Sequence, residues 1–389
     1  MAFLVKVGTF LFSLRALSVS RTTAYQGMID IKDRVRNVFR LRKTFGDDGL
    51  SRENNLDVVR LILAISVIVS HAFPLTGNEN SEPVFAFTSG RVDIGKLAVD
   101  AFFVISGFLI SNSWIRGRGW WDFWRKRGAR IYPAFLAALL LSILVVAPLG
   151  GAEFPVFLSK WDTWQQVLCP LLFGEINTLQ GVFETNSKPG ILNGSLWTIR
   201  FEVFCYLLVA VIGLLGFFKH RMVVFCTYIC ALLFYRFNPQ AIVLSYFGSL
   251  YELPRLLAYF FGGAAIYIWR HRIPRSIALF SCCAALLYLS RGHSIGLLWP
   301  LLFPYCVMYL GLSRKLSAFA VLAGIDISYG VYLYAWPIQQ LLVGRFQMLS
   351  PIVNAIVAIP LSCFAGFLSW HSLEKHFLKM AKNGSNLSA

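Results

Sequence analysis

Charge is scarce in this chain. Only 14% of its 389 residues are Asp, Glu, Lys or Arg, where an ordinary soluble domain carries about 25%. That shortage excludes a water-facing surface over most of the molecule. Acid is the scarcer sign: 19 acidic residues stand against 36 basic ones, for a net charge of +17. Nucleic acid is one partner such an excess can mean, but the basic residues fall between long apolar blocks, as in cytoplasmic loops of membrane proteins. No nucleic-acid partner is therefore expected. The eight cysteines do not form a disulfide framework. Most lie in apolar segments, and only Cys169 lies in an expected external loop. Cys226 and Cys230 share a helical face, yet no nearby His or carboxylate completes a ligand set, so no metal site is expected. Internal repeats and low-complexity tracts are also lacking.

What fills the chain is apolar: 57% of residues are hydrophobic and 15% are aromatic. Ten stretches read as spans, at roughly 57–77, 95–115, 131–149, 196–216, 222–237, 253–269, 276–290, 294–312, 321–343 and 351–370. This pattern predicts an all-α polytopic membrane protein of about ten transmembrane helices. With the N-terminus placed inside, every inner loop is more basic than its neighbours, so both termini are expected to be cytoplasmic. Residues 1–50 read as a basic cytoplasmic N-terminal extension, 51–380 as the transmembrane domain and 381–389 as a short cytoplasmic tail. The first residues read as an interfacial amphipathic helix rather than a signal peptide, because Arg15 interrupts their apolar stretch. The outer loop 150–195 carries several Trp and Gly and is a candidate to dip back into the bilayer.

Polar residues inside apolar runs are costly and point to function. Arg60 opens the run RLILAISVIVSH and His71 closes it, which sets the two side chains about 16 Å apart along a helix. His71, Asp100 and Glu202 fall roughly 8–9 Å below the outer ends of three different spans. Three ionisable groups at one level call for mutual pairing in a wet or ligand-filled cavity. The first two spans are joined by a short loop, so a His71–Asp100 contact is expected, with the carboxylate orienting an imidazole base. Structural roles stand beside these: an interhelical hydrogen bond for His71, and arginine pairing for Asp100 and Glu202, for example with Arg200. At the inner side, Arg127 and Arg130 share a helical face near Arg60. Arginines of this kind grip phosphate, or simply anchor the chain beside a belt of Trp120, Trp121 and Trp124.

Taken in order, these segments resemble the acyltransferase-3 family of integral membrane O-acyltransferases. The family's basic residue followed by His matches Arg60 and His71. Its FFxxSGF motif matches Phe102, Phe103, Ser106, Gly107 and Phe108, and its RxxR motif matches Arg127 and Arg130. SLWTIRFEVFCYLL is similar to a third block, through Trp197 and Glu202, and ISYGVYLYAWPI resembles the late family helix. Ala335 stands where many relatives have His, and His376 where many have Pro. The hydrolase-like C-terminal domain common in the family is absent from this sequence.

The resemblance implies transfer of an acyl group, acetyl by prevalence, from cytoplasmic acyl-CoA to a hydroxyl of a surface or exported carbohydrate. Lipopolysaccharide, exopolysaccharide and an oligosaccharide all fit as acceptor, and the bacterial inner membrane is the implied location. The expected site has His71 as general base, with Asp100 and Glu202 as its catalytic partners. Arg60, Arg127, Arg130, Ser106 and Gly107 are expected to hold acyl-CoA, and Trp197 and Arg200 the acceptor. An acyl-His intermediate remains open as an alternative. A proton-coupled transporter of carbohydrate or lipid-linked glycan is the competing class, and a scaffold in polysaccharide export is a third.

Overall fold

The computed structural model describes residues 44–46, 54–172, 174, 178–237, 243–244, 248–291, 295–313, 326–346 and 348–387. The expected N-terminal interfacial helix, the basic loop containing Arg314 and Lys315, and the first residues of the 321–343 stretch lie outside them. The chain divides into two compact units, 1–49 with 271–276, and 50–270 with 277–389. In the described part of the first unit, Thr44 forms an isolated antiparallel bridge with Pro274.

The second unit is helical apart from two two-residue strands, Val243–Leu244 paired with Gly248–Ser249. Its main helices are α1 (Leu56–Leu75), α2 (Ile94–Ile115), α3 (Trp120–Leu141), α4 (Ile199–Leu214), α5 (Arg221–Phe237), α6 (Leu253–Trp269), α7 (Ile277–Leu289), α8 (Ile295–Gly311), α9 (Ser328–Arg345) and α10 (Pro351–Ser369). Helix α3 continues through a π turn at Ser142–Val146, and α10 through another at Trp370–Glu374 into a final helix, Lys375–Leu387. Among the described residues, five segments are long and apolar enough to cross a membrane: Leu56–Leu75, Ile94–Ile115, Trp120–Leu149, Gly194–Leu214 and Pro351–Asn383. The other helices stand at expected positions but are shorter or less apolar. The outer loop expected to re-enter carries two short helices, Phe154–Ser159 and Trp161–Leu171.

Local chemistry sets the helix ends. Asp93 caps α2, its Oδ1 accepting the Lys96 amide at 2.8 Å, a favoured use of Asp at this position. Asp122 lies in the first turn of α3, where it meets the helix dipole and accepts from Lys126 Nζ at 2.6 Å. Ser350 caps α10, with Pro351 at its first position.

The centre of the unit is α6, buried at almost every residue from Pro254 to Ile268 and packed against α2 and α5. Glycines allow that proximity. A Cβ on Gly107 would lie 1.8 Å from the Phe260 carbonyl oxygen, and one on Gly263 would lie 1.9 Å from that of Val104. The helices touch backbone to backbone, as small residues permit. Helix α1 packs on α2, α9 and α10. The rim is apolar: on α10, Ile352, Ile356 and Phe364 are 67%, 64% and 63% exposed. A rim of that kind suits lipid and would aggregate in water.

Candidate functional site

The three ionisable groups expected at one depth do not meet. Asp100 is engaged by Arg255 of α6 through Nη1, so the expected His71–Asp100 pair is not formed. Six residues separate Asp100 from Ser106, which turns them to different faces of α2. Glu202 accepts a hydrogen bond from the Tyr206 hydroxyl, one turn on. The His71 ring meets the edge of Trp336 at 4.9 Å, and its buried Nδ1 has no hydrogen-bond partner among the described residues. Ser70, the residue before His71, donates through Oγ to Asp93, the α2 cap, at 3.0 Å.

The arginines do gather. Arg60 (α1) and Arg130 (α3) both donate to Oδ2 of Asp326, the second at 2.6 Å. Arg130 Nη1 also reaches Glu374 Oε2 at 3.4 Å. Ser328 Oγ donates to the other oxygen of Asp326 at 2.6 Å, and Ser369 Oγ to Glu374 Oε1 at 3.1 Å. Asp326 stands in the loop ahead of α9, outside the helix. Burial there favours the neutral acid, but Arg130 and Arg60 outweigh it and hold the carboxyl well below the usual carboxylate range. Arg127 has no carboxylate contact of this kind. Its guanidinium lies 6.0 Å from the Tyr206 ring, and its buried Nε has no hydrogen-bond partner among the described residues.

These side chains open onto one cavity of ≈ 170 Å³. Arg60, Arg127 and Arg130 line one part of it, and Ser106, Glu202 and Tyr206 line the wall. Along α2 the lining runs from Ile110 to Val99, about 16 Å of helix. At the Val99 side, Thr198 and Tyr332 line it and share a hydrogen bond of 3.0 Å between their hydroxyls. Tyr332 and Trp336 are one turn apart on α9, and Trp336 carries the contact to His71. His71 is thus outside the cavity lining, about one helical turn beyond it.

Of the remaining expected residues, Gly107 serves the approach to α6. Trp197 and Arg200 both lie against Phe201, at 5.8 Å and 4.7 Å, and neither lines the cavity. Sequence reasoning missed Asp326, Glu374, Arg255, Tyr206 and Tyr332. Two of these left a trace: Asp326 in GIDISYG and Arg255 in LPRLLAYFF are single charges bordering apolar runs, and such charges need partners.

The family model described as an acyltransferase domain matches residues 53–371. An O-acetyl transferase of Shigella phage Sf6 is 29% identical over 337 residues, covering 85% of this chain and 97% of that protein. Nodulation protein 10 of Rhizobium leguminosarum bv. viciae is 29% identical over 168 residues, 40% of this chain and 42% of its own length. Acyltransferase MdmB of Streptomyces mycarofaciens is 35% identical over a shorter stretch of 69 residues, 18% of each chain. No solved structure matches.

Proposed function

The chain belongs to the acyltransferase-3 family, as a multi-pass membrane enzyme that transfers acyl groups, and from that premise we propose that it is an O-acetyltransferase acting on a carbohydrate. The donor is cytoplasmic acetyl-CoA. The acceptor is a hydroxyl of a surface or exported glycan reached from the far side of the bacterial inner membrane. About ten crossings with both termini cytoplasmic complete this reading.

One observation carries it: a single cavity running along about 16 Å of α2 is lined by three arginines and by a hydrogen-bonded pair of hydroxyls. A phosphate-bearing donor with an extended arm suits that shape. Arg127 is the first contact for phosphate, because its buried Nε lacks a partner. Arg60 and Arg130 join it when phosphate competes with Asp326 and Glu374 for their donors. The arm passes Phe102, Ser106 and Tyr332. When bound, acetyl-CoA supplies the activated thioester.

His71 takes the proton of the acceptor hydroxyl as general base. The new ester C–O bond forms as the C–S bond breaks, and the imidazolium returns its proton to the leaving thiolate. Asp93, bonded to the Ser70 hydroxyl next to His71, balances the charge on the ring during the step in place of Asp100. In this reading the Thr198 and Tyr332 hydroxyls donate to the developing oxyanion. Trp336, in edge contact with His71, is the neighbour that orients the ring in this reading.

The test is incubation of membranes containing the protein with radiolabelled acetyl-CoA and surface glycan. Label should pass to the glycan with the native chain and not with His71→Ala at equal membrane abundance. Normal glycan labelling by that variant would overturn the assignment of the base.

A further inference from the structure

A second cavity, of ≈ 120 Å³, lies beside the first turns of α2. Its centre is Arg255, in the first turn of α6 and only 8% exposed. Arg255 Nη1 donates to Asp100 and Nε to Glu252 Oε2 at 2.6 Å, while the buried Nη2 has no partner among the described residues. A guanidinium holds its donors in a fixed fork, so the idle nitrogen has a defined direction. Glu252 has one oxygen on Arg255, and no hydrogen bond reaches its Oε1 among the described residues. Tyr235, Tyr251 and Tyr259 supply three aromatic rings to the lining. None of this group is used in the acyl-transfer steps above.

Idle donor and idle acceptor side by side fit a vicinal diol. One hydroxyl oxygen accepts from Nη2–H, and the neighbouring hydroxyl donates to the carboxylate. Aromatic rings pack on the C–H face of a pyranose, giving apolar contact with fixed polar groups, as small-molecule sites generally do. Charge argues against an anion. Arg255 is already paired with both Asp100 and Glu252, so an anion at its idle nitrogen would sit beside two carboxylates. A carboxylated or phosphorylated sugar would be repelled by Asp100, which is buried, and by Glu252, which is partly exposed.

We propose that this cavity is a subsite for a neutral, hydroxyl-rich sugar unit of the acceptor glycan. The word acceptor rests on the acyltransferase reading; the sugar binding does not. Asp93, bonded to Ser70 beside His71, and Asp100 belong to the same end of α2, seven residues or about 10 Å apart. A unit held at Arg255 is therefore a neighbour of the acylated unit, and it sets which hydroxyl is presented to His71.

The full chain in lipid nanodiscs is examined by saturation-transfer NMR with methyl glycosides of glucose, galactose and mannose, and with glucuronate as an anionic probe. At least one neutral glycoside should show saturated ring protons. Its binding should weaken about tenfold, the equivalent of about 1.4 kcal/mol, in Glu252→Gln and in Tyr251→Ala. The second variant changes a side chain that is largely exposed, at 63%, and guards against misfolding of the first. No saturation of any neutral glycoside, preferential saturation of glucuronate, or unchanged binding in both variants overturns the proposal. Acetyl-CoA binding to the same discs separates the two readings. Sugar binding without acetyl-CoA binding sinks the acyltransferase reading alone, and the reverse sinks the subsite alone.

Discussion

Arg127 differs from its two neighbours in what it touches. Arg60 and Arg130 are anchored by Asp326, and Arg130 by Glu374 as well. Arg127 lies beside the Tyr206 ring, and its Nε has no hydrogen-bond partner among the described residues. Arg127→Ala should therefore raise the KM for acetyl-CoA about tenfold with little change in kcat, since charge-assisted hydrogen bonds contribute about 1.5–3 kcal/mol each. Steady-state kinetics in nanodiscs read this, and an unchanged KM would reject the phosphate role. Asp326→Asn acts differently. It strands Arg60, 19% exposed, and leaves Arg130, 13% exposed, with only the longer contact to Glu374, and breaking such a buried pair costs about 3–5 kcal/mol. A marked drop in the heat-denaturation midpoint in detergent is expected, and a midpoint equal to the native one would show that Asp326 does not hold the cluster.

At the scale of the element, the α2–α6 contact gives two predictions of opposite sign. Gly107→Ala forces a methyl against the Phe260 carbonyl, so the helices must part and stability must fall. Gly128→Ala, in α3, meets nothing within 4 Å. There alanine gains about 0.5–1 kcal/mol of helix propensity. Thermal midpoints of the two variants, measured side by side, should move apart in those directions. Helix α2 also explains why Asp100 serves a different cavity from Ser106. Depth along a helix follows from counting residues, whereas the face each residue presents depends on which neighbours pack around it. Counting set His71, Asp100 and Glu202 at one level, and packing sent them to Trp336, Arg255 and Tyr206.

At the scale of the whole molecule, the orientation is open to a direct test. In a background free of native cysteines, Glu184→Cys in the outer loop should react with an impermeant maleimide on intact cells. Lys382→Cys, in the final helix, should react only in inverted vesicles. Labelling of both from the same side would refute the inside–outside assignment built on loop charge.

Composition and periodicity by themselves determined that this chain is a helical membrane protein, and where its helices fall, because the apolar length of a segment is a local property. The five motifs in order determined the family, and the RxxR spacing determined that Arg127 and Arg130 share a face. Only the tertiary structure decided which charges pair. Asp326 and Glu374 lie 196 and 244 positions from Arg130, and no local pattern links positions so far apart in sequence. It also separated Asp100 from His71 and set Gly107 against the α6 backbone. The physical reason is common to all three: desolvated charge and close backbone contact are satisfied between helices, and the arrangement of helices around one another is not written in any single segment.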